Sequence, residues 1–139
     1  MMRITMLLAD AAQAVDGKLY ILGGGWSFIG PQPTPMAIAM LIEVPWDQSN
    51  QRHLVELVLQ DEDGQPVVID DKRVTIHGEF EVGRPPGLPP GTPLGVPLAI
   101  NIGPLPLQAA AGYVWCCAID GQTRDDWRVA FRTRPALRP

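Results

Sequence analysis

Residues Gly83 to Pro97 hold six prolines and four glycines, and a stretch of this composition forms neither a helix nor a central strand. Proline lacks the backbone N–H that both ladders need, and glycine leaves the chain turn-prone. The segment predicts a long surface loop. Loops of this length are uncommon inside a compact domain unless they bind something, link something or stay disordered. It is therefore the strongest functional pointer in the sequence, and everything around it reads as short strands.

Alternation with period two dominates, and helix-period stripes with caps are absent. In Val74–Val82, Val74, Ile76, Gly78, Phe80 and Val82 share one face, while Thr75, His77, Glu79 and Glu81 share the other. Tyr113–Ile119 and Trp127–Arg132 repeat the pattern across Asp120-Gly121, a hairpin signal followed by a polar stretch. A second hairpin is expected to join His53–Gln60 to Pro66–Ile69 through Asp61–Gly64, and Asp16-Gly17 marks a turn before Lys18–Leu22. Further strands are expected at Arg3–Leu8, Met36–Val44 and Pro97–Ile102. Ala9–Ala14 and Leu107–Ala111 carry some helical propensity but are too short for a stable helix. Eight or nine short strands with Gly/Pro punctuation predict an all-β fold, an antiparallel sandwich of the immunoglobulin-like or jelly-roll-like kind. A closed barrel is the alternative. One domain is expected over 1–133, with its loop at 83–97 and a short extension at 134–139.

At 139 residues and 46% hydrophobic content the chain can build a core without disulfides or metals. A net charge of −4 argues against a nucleic-acid footprint, although Arg124, Arg128, Arg132, Arg134 and Arg138 gather near the end, with Asp125 and Asp126 among them. Cys116 and Cys117 are adjacent, so in a strand they point to opposite faces and cannot pair with each other. Unpaired thiols suit a reducing interior. Met1–Ala12 is too short an apolar run for a signal-peptide core, and no run approaches membrane-spanning length. The expectation is a cytoplasmic protein, or a virion component if a bacteriophage encodes it.

Each candidate site has a structural counterpart. Gly23-Gly24-Gly25 lacks the Lys-Ser/Thr and the helix of a phosphate loop, and reads as a bulge or crossing. Asp61, Glu62, Asp63, Asp70 and Asp71 lack the spacing of a calcium loop and read as turn carboxylates. His53 and His77 have no neighbour at metal-ligand spacing and read as surface histidines. The only serines are Ser27 and Ser49, neither in a nucleophile elbow, and the cysteines sit in apolar company. No catalytic residue, metal or cofactor is expected. Trp26, Trp115 and Trp127 read as core, whereas Trp46, between Pro45 and Asp47 at a strand end, is expected to be partly exposed. It could pack, stack a sugar ring or anchor an interface.

Several phrases carry a resemblance: LLADAAQAVDGKLYILGGGW (Leu7–Trp26), MAIAMLIEVPWD (Met36–Asp47), DEDGQP (Asp61–Pro66), EFEVGRPPGLPPGTPLGVPLAINIGPLPL (Glu79–Leu107) and GYVWCCAIDG (Gly112–Gly121). Together they resemble a family of small bacterial β-sandwich proteins of unknown function, abundant in high-GC actinobacteria, whose mark is an N-terminal D-G-K-L-x-I-L-G-G-G-W strand. The resemblance implies a sandwich and brings no activity or site residue with it. By analogy of fold alone, small sandwiches also serve as accessory parts of bacteriophage particles.

The sequence thus predicts a non-catalytic structural or protein–protein interaction module, self-assembling or docking on a larger assembly. Leu88, Leu94 and Val96 in the Pro/Gly loop form its expected apolar contact surface. The partner is expected to be a protein or a second copy, not nucleic acid or membrane. The alternative is a sandwich that binds a carbohydrate or small apolar molecule near Trp46 and the loop.

Overall fold

The structure, a computed structural model, describes residues 1–137. Arg138 and Pro139, the end of the expected extension, lie outside the described residues. The strands are β1 (Arg3–Ala9), β2 (Ala11–Val15), β3 (Lys18–Leu22), β4 (Phe28–Ile29), β5 (Met36–Val44), β6 (His53–Asp61), β7 (Val68–Ile69), β8 (Lys72–Arg73), β9 (Thr75–Phe80), β10 (Leu94–Ile102), β11 (Gly112–Ile119) and β12 (Gln122–Thr133). Among the described residues the one helical element is a 3₁₀ turn at Trp46–Gln48. No helix among them is long and apolar enough to cross a membrane.

A three-stranded sheet in the order β1-β5-β10 faces a five-stranded sheet in the order β4-β12-β11-β6-β9. The fold is thus an all-β sandwich, antiparallel except where the two-residue β4 lies parallel to β12. Alternation decides which side chains meet between the sheets. Met36, Ile38, Met40, Ile42 and Val44 of β5 face Val55, Leu57 and Leu59 of β6 and Trp115, Cys117 and Ile119 of β11, all buried in one cluster. Each large side chain buried there contributes about 1.5–3 kcal/mol, and both cysteines are free thiols.

β5 is buried on both faces over its first five residues, Met36–Met40, whereas Leu41, further along its outward face, is exposed. Its outer face carries Ala37 and Ala39, and the β2–β3 hairpin folds over them, placing Ala12 against this second cluster. The Asn101 carboxamide fixes the hairpin, donating to the Ala12 carbonyl at 2.8 Å and accepting from the Ala12 N–H at 3.2 Å. Residues 11–15, where only weak helical propensity was legible, are therefore a strand. Asp16-Gly17 closes the hairpin with positive φ at both residues (52° and 74°).

Two further expectations are corrected. Pro66–Ile69 is not the strand that pairs along β6; only Pro66 bridges Gln60 and Val67 bonds to Leu59. Val68–Ile69 instead turns back on Lys72–Arg73 through Asp70 and Asp71, both at positive φ, and β9 takes the place beside β6. The Pro/Gly loop ends at Pro93, because Leu94–Ile102 pairs with β5 over its whole length. Pro97 is accommodated there because β10 is an edge strand, where a missing N–H facing outward costs no ladder bond.

Candidate interaction surface

The loop at residues 81–93 is built from two successive turns with the same sequence logic. Pro85-Pro86-Gly87-Leu88 and Pro89-Pro90-Gly91-Thr92 each place glycine third, at φ 89° and 87°, a conformation only glycine adopts without strain. The Thr92 N–H donates to the Pro89 carbonyl at 3.2 Å. Proline fixes the position before each glycine, so the loop has a preset shape.

One residue ties this loop to the body. The Arg84 guanidinium lies 4.5 Å above the Trp46 ring, its Nε donates to Ser49 Oγ at 2.7 Å, and Nη2 donates to the Trp46 carbonyl at 2.9 Å. Trp46 is half-buried, as a strand-end tryptophan was expected to be, and Arg84 covers one face of its ring. Beside it opens a cleft of about 580 Å³ lined by Arg3, Glu43, Trp46, Gly91 and Pro93. The fold thus joins Trp46 to the loop, but it does not join all the expected contact residues. Leu88 stands at a turn, 38% exposed, whereas Leu94 is only 4% exposed, opposite Val44 in β10. Val96 is half-buried against the core. Alternation puts both in the sandwich, so of the three only Leu88 remains on the surface.

His53 overturns a second expectation. It is buried and stacks on Phe80 at 5.3 Å between ring centroids. Its Nδ1 lies 2.7 Å from Asp120 Oδ2 and its Nε2 lies 2.8 Å from the Gln48 carbonyl oxygen. Both neighbours are acceptors, so the full set of bonds needs a proton on each nitrogen, the imidazolium form. Burial opposes charging the ring, but the hydrogen bond to Asp120, the Gln48 carbonyl and the Asp120 charge outweigh it and hold its pKa above 6.5. Desolvation likewise opposes Asp120, yet the bond from His53, the Leu54 N–H at 2.9 Å and the His53 charge leave its pKa below 3.8. The pair clamps the 3₁₀ turn to the β11–β12 turn beneath a cleft of about 630 Å³ that includes Gln48, Asp120, Thr123 and Trp127.

Several of the remaining candidates serve the fold. Asp61 Oδ1 accepts the N–H groups of Asp63 and Gln65, both at 2.9 Å, while Glu62 pairs with Arg132 at 2.7 Å. Burial raises both thiols, that of Cys117 to about 12. At the glycine run, a Cβ on Gly23 would strike the Asp10 carboxylate and one on Gly24 would lie 2.7 Å from Ile21 Cγ2. These glycines let the chain leave the hairpin in close contact with it. His77 lies on an exposed face, 3.3 Å from Glu56. Among the described residues no group of three or more His, Cys, Asp or Glu side chains could hold a metal ion.

The model of a family of unknown function, DUF6941, matches residues 4–132. The chain belongs to the DUF6941 family. The match runs from β1 into β12, so the Pro/Gly loop, Trp46 and the His53–Asp120 clamp all fall within the DUF6941 domain. No curated protein and no solved structure matches the chain. Membership of DUF6941 therefore assigns the chain to a family without giving any residue a role.

Proposed function

We propose that this DUF6941 chain is a non-catalytic protein–protein interaction module that assembles with copies of itself through the flank formed by β9, the 81–93 loop and β10. The observation that carries the reading is the loop itself, two Pro-Pro-Gly turns pinned by Arg84 onto Trp46 and Ser49. A preset loop loses little conformational entropy on docking, so its exposed Leu88 can contribute to contact at low cost. The groups best suited to chemistry support the same reading. His53 has both ring nitrogens engaged, and the Cys117 thiol, raised to about 12, is a poor nucleophile. A net charge of −4 disfavours nucleic acid as the partner. The same flank serves a cytoplasmic oligomer in an actinobacterial cell or an accessory position on a bacteriophage particle.

A second reading, a carbohydrate or small apolar ligand, is favoured by one observation, the cleft that brings Trp46 together with Gly91 and Pro93. Light scattering and ligand titration separate the two. The interaction reading expects a mass that is a multiple of 15.1 kDa, reduced when Pro85–Thr92 is replaced by a Gly/Ser linker. A wild-type protein that is monomeric at every concentration refutes self-assembly. A sugar-binding signal lost in Trp46→Ala at unchanged mass establishes the ligand reading instead.

A further inference from the structure

We propose that β9 pairs with β9 of a second copy, antiparallel about a two-fold axis at Gly78, so that His77 of each copy stands opposite Glu79 of the other. The inference rests on the self-assembly reading above and names the strand and register that perform it.

The two sheets end in four strands, β1, β10, β4 and β9, and each edge is managed differently. β4 has two residues, too few to template a partner. β1 runs beside β12, which closes that side of the sandwich. β10 carries Pro97, which has no N–H to offer, and its Asn101 is bonded to Ala12 of β2. β9 is hydrogen-bonded to β6 alone, has six residues and contains no proline. It is also flanked by open space on both faces. A hollow of about 370 Å³ lies over Leu54, Glu56, His77 and Glu79, and a slot of about 110 Å³ separates Ile76 and Gly78 from Leu98 and Ile100 of β10. An unpaired, accessible strand of this kind is a template for another strand.

Backbone direction and charge then choose the partner and its register. The Leu59 N–H donates to the Val74 carbonyl, so even-numbered residues along this line address β6 and odd-numbered ones, Thr75, His77 and Glu79, address the free edge. An antiparallel copy centred on Gly78 sets His77 against Glu79 twice, and each pair also exchanges the backbone bonds. Centring on His77 sets imidazole against imidazole, and centring on Glu79 sets carboxylate against carboxylate, which is repulsive. Of these three registers, the one centred on Gly78 makes the edge complementary to itself. Gly78 lies on the axis, where the missing side chain lets the strands approach. The present partners of these side chains, Glu56 at 3.3 Å from His77 and Arg52 at 3.5 Å from Glu79, are exposed and readily exchanged. Antiparallel order also brings the 81–93 loop of one copy, with Leu88, to the β7–β8 end of the other, where Val68 is exposed.

Sedimentation and light scattering on the full chain test this with Glu79→Lys, His77→Glu and the double variant. Glu79→Lys places a second basic group across from His77, and His77→Glu sets two carboxylates face to face. Each single variant is expected to weaken the dimer by about tenfold or more, and the double variant to restore it. Gly78→Cys is expected to form an intermolecular disulfide on oxidation that wild-type protein, with only Cys116 and Cys117, does not form. A wild-type oligomer that the charge variants leave intact and that Gly78→Cys fails to cross-link overturns β9 pairing while the interaction module stands. A monomeric wild type overturns both.

Discussion

Asp120→Asn removes the charge from the His53 clamp. Asparagine tolerates the positive φ of position 120 (52°) and can still accept the Leu54 N–H, so the turn is retained, while the oxygen that faces His53 Nδ1 becomes an amide N–H donor that only a neutral imidazole can accept. A hydrogen bond involving a charged group contributes about 1.5–3 kcal/mol, and solvent screening of the 46% exposed Asp120 side chain lowers this to about 1–2 kcal/mol. The effect must depend on pH. His53 has a raised folded-state pKa, so its contribution is complete below 6.5 and disappears as pH climbs through the folded value. Asp120 has a lowered pKa, so its contribution is present above 3.8 and disappears as pH falls through the folded value. Between those limits the clamp is whole. Urea unfolding of both proteins at about pH 5.5 and about pH 8.5 is expected to show the full difference at the lower pH and less than about half of it at the higher. An equal difference at both pH values would refute the imidazolium assignment. So would a wild type that gains stability from this pair as pH rises.

Asn101→Leu strips the Ala12 N–H and carbonyl of their partner and is expected to cost about 2 kcal/mol. Hydrogen exchange should speed up across 11–22 while β5 and β6 stay protected; uniform loss of protection would mean that the hairpin is not a separate unit. Ala39→Leu forces extra volume beneath the same hairpin at a position that is 2% exposed, and should cost about 1–3 kcal/mol in urea unfolding. With its pKa near 12, Cys117 should resist a thiol reagent at about pH 8 in the folded protein and react once guanidinium is added. Rapid labelling of Cys117 in the native state would contradict its burial.

The alternating runs made the sandwich legible because an alternating face has one stable use, burial against another sheet. Val74–Phe80 and Tyr113–Ile119 follow it, and Met36–Val44, apolar almost throughout, also buries part of its second face. The failures come from pairings that are not local. Nothing in Ala11–Val15 shows that Asn101, far along the chain, supplies its missing bonds, nor that Ala37 and Ala39 are small because a hairpin lies on them. Their Pro/Gly neighbours place Leu94 and Val96 in the expected loop, although Leu94, Val96, Leu98, Ile100 and Ile102 keep strand period through Pro97. The same rule would have found His53. It shares its face with Val55, Leu57 and Leu59, so period two already placed it indoors, where an imidazole needs partners. Those partners lie in two turns, at Gln48 and at Asp120. Asp120-Gly121 is legible as a hairpin signal, but its carboxylate also has an appointment 67 residues upstream in the sequence, which no local pattern records. Turn acids and end-of-strand histidines on apolar faces are thus worth reading together, because a sandwich brings its turns and strand ends to the same pole.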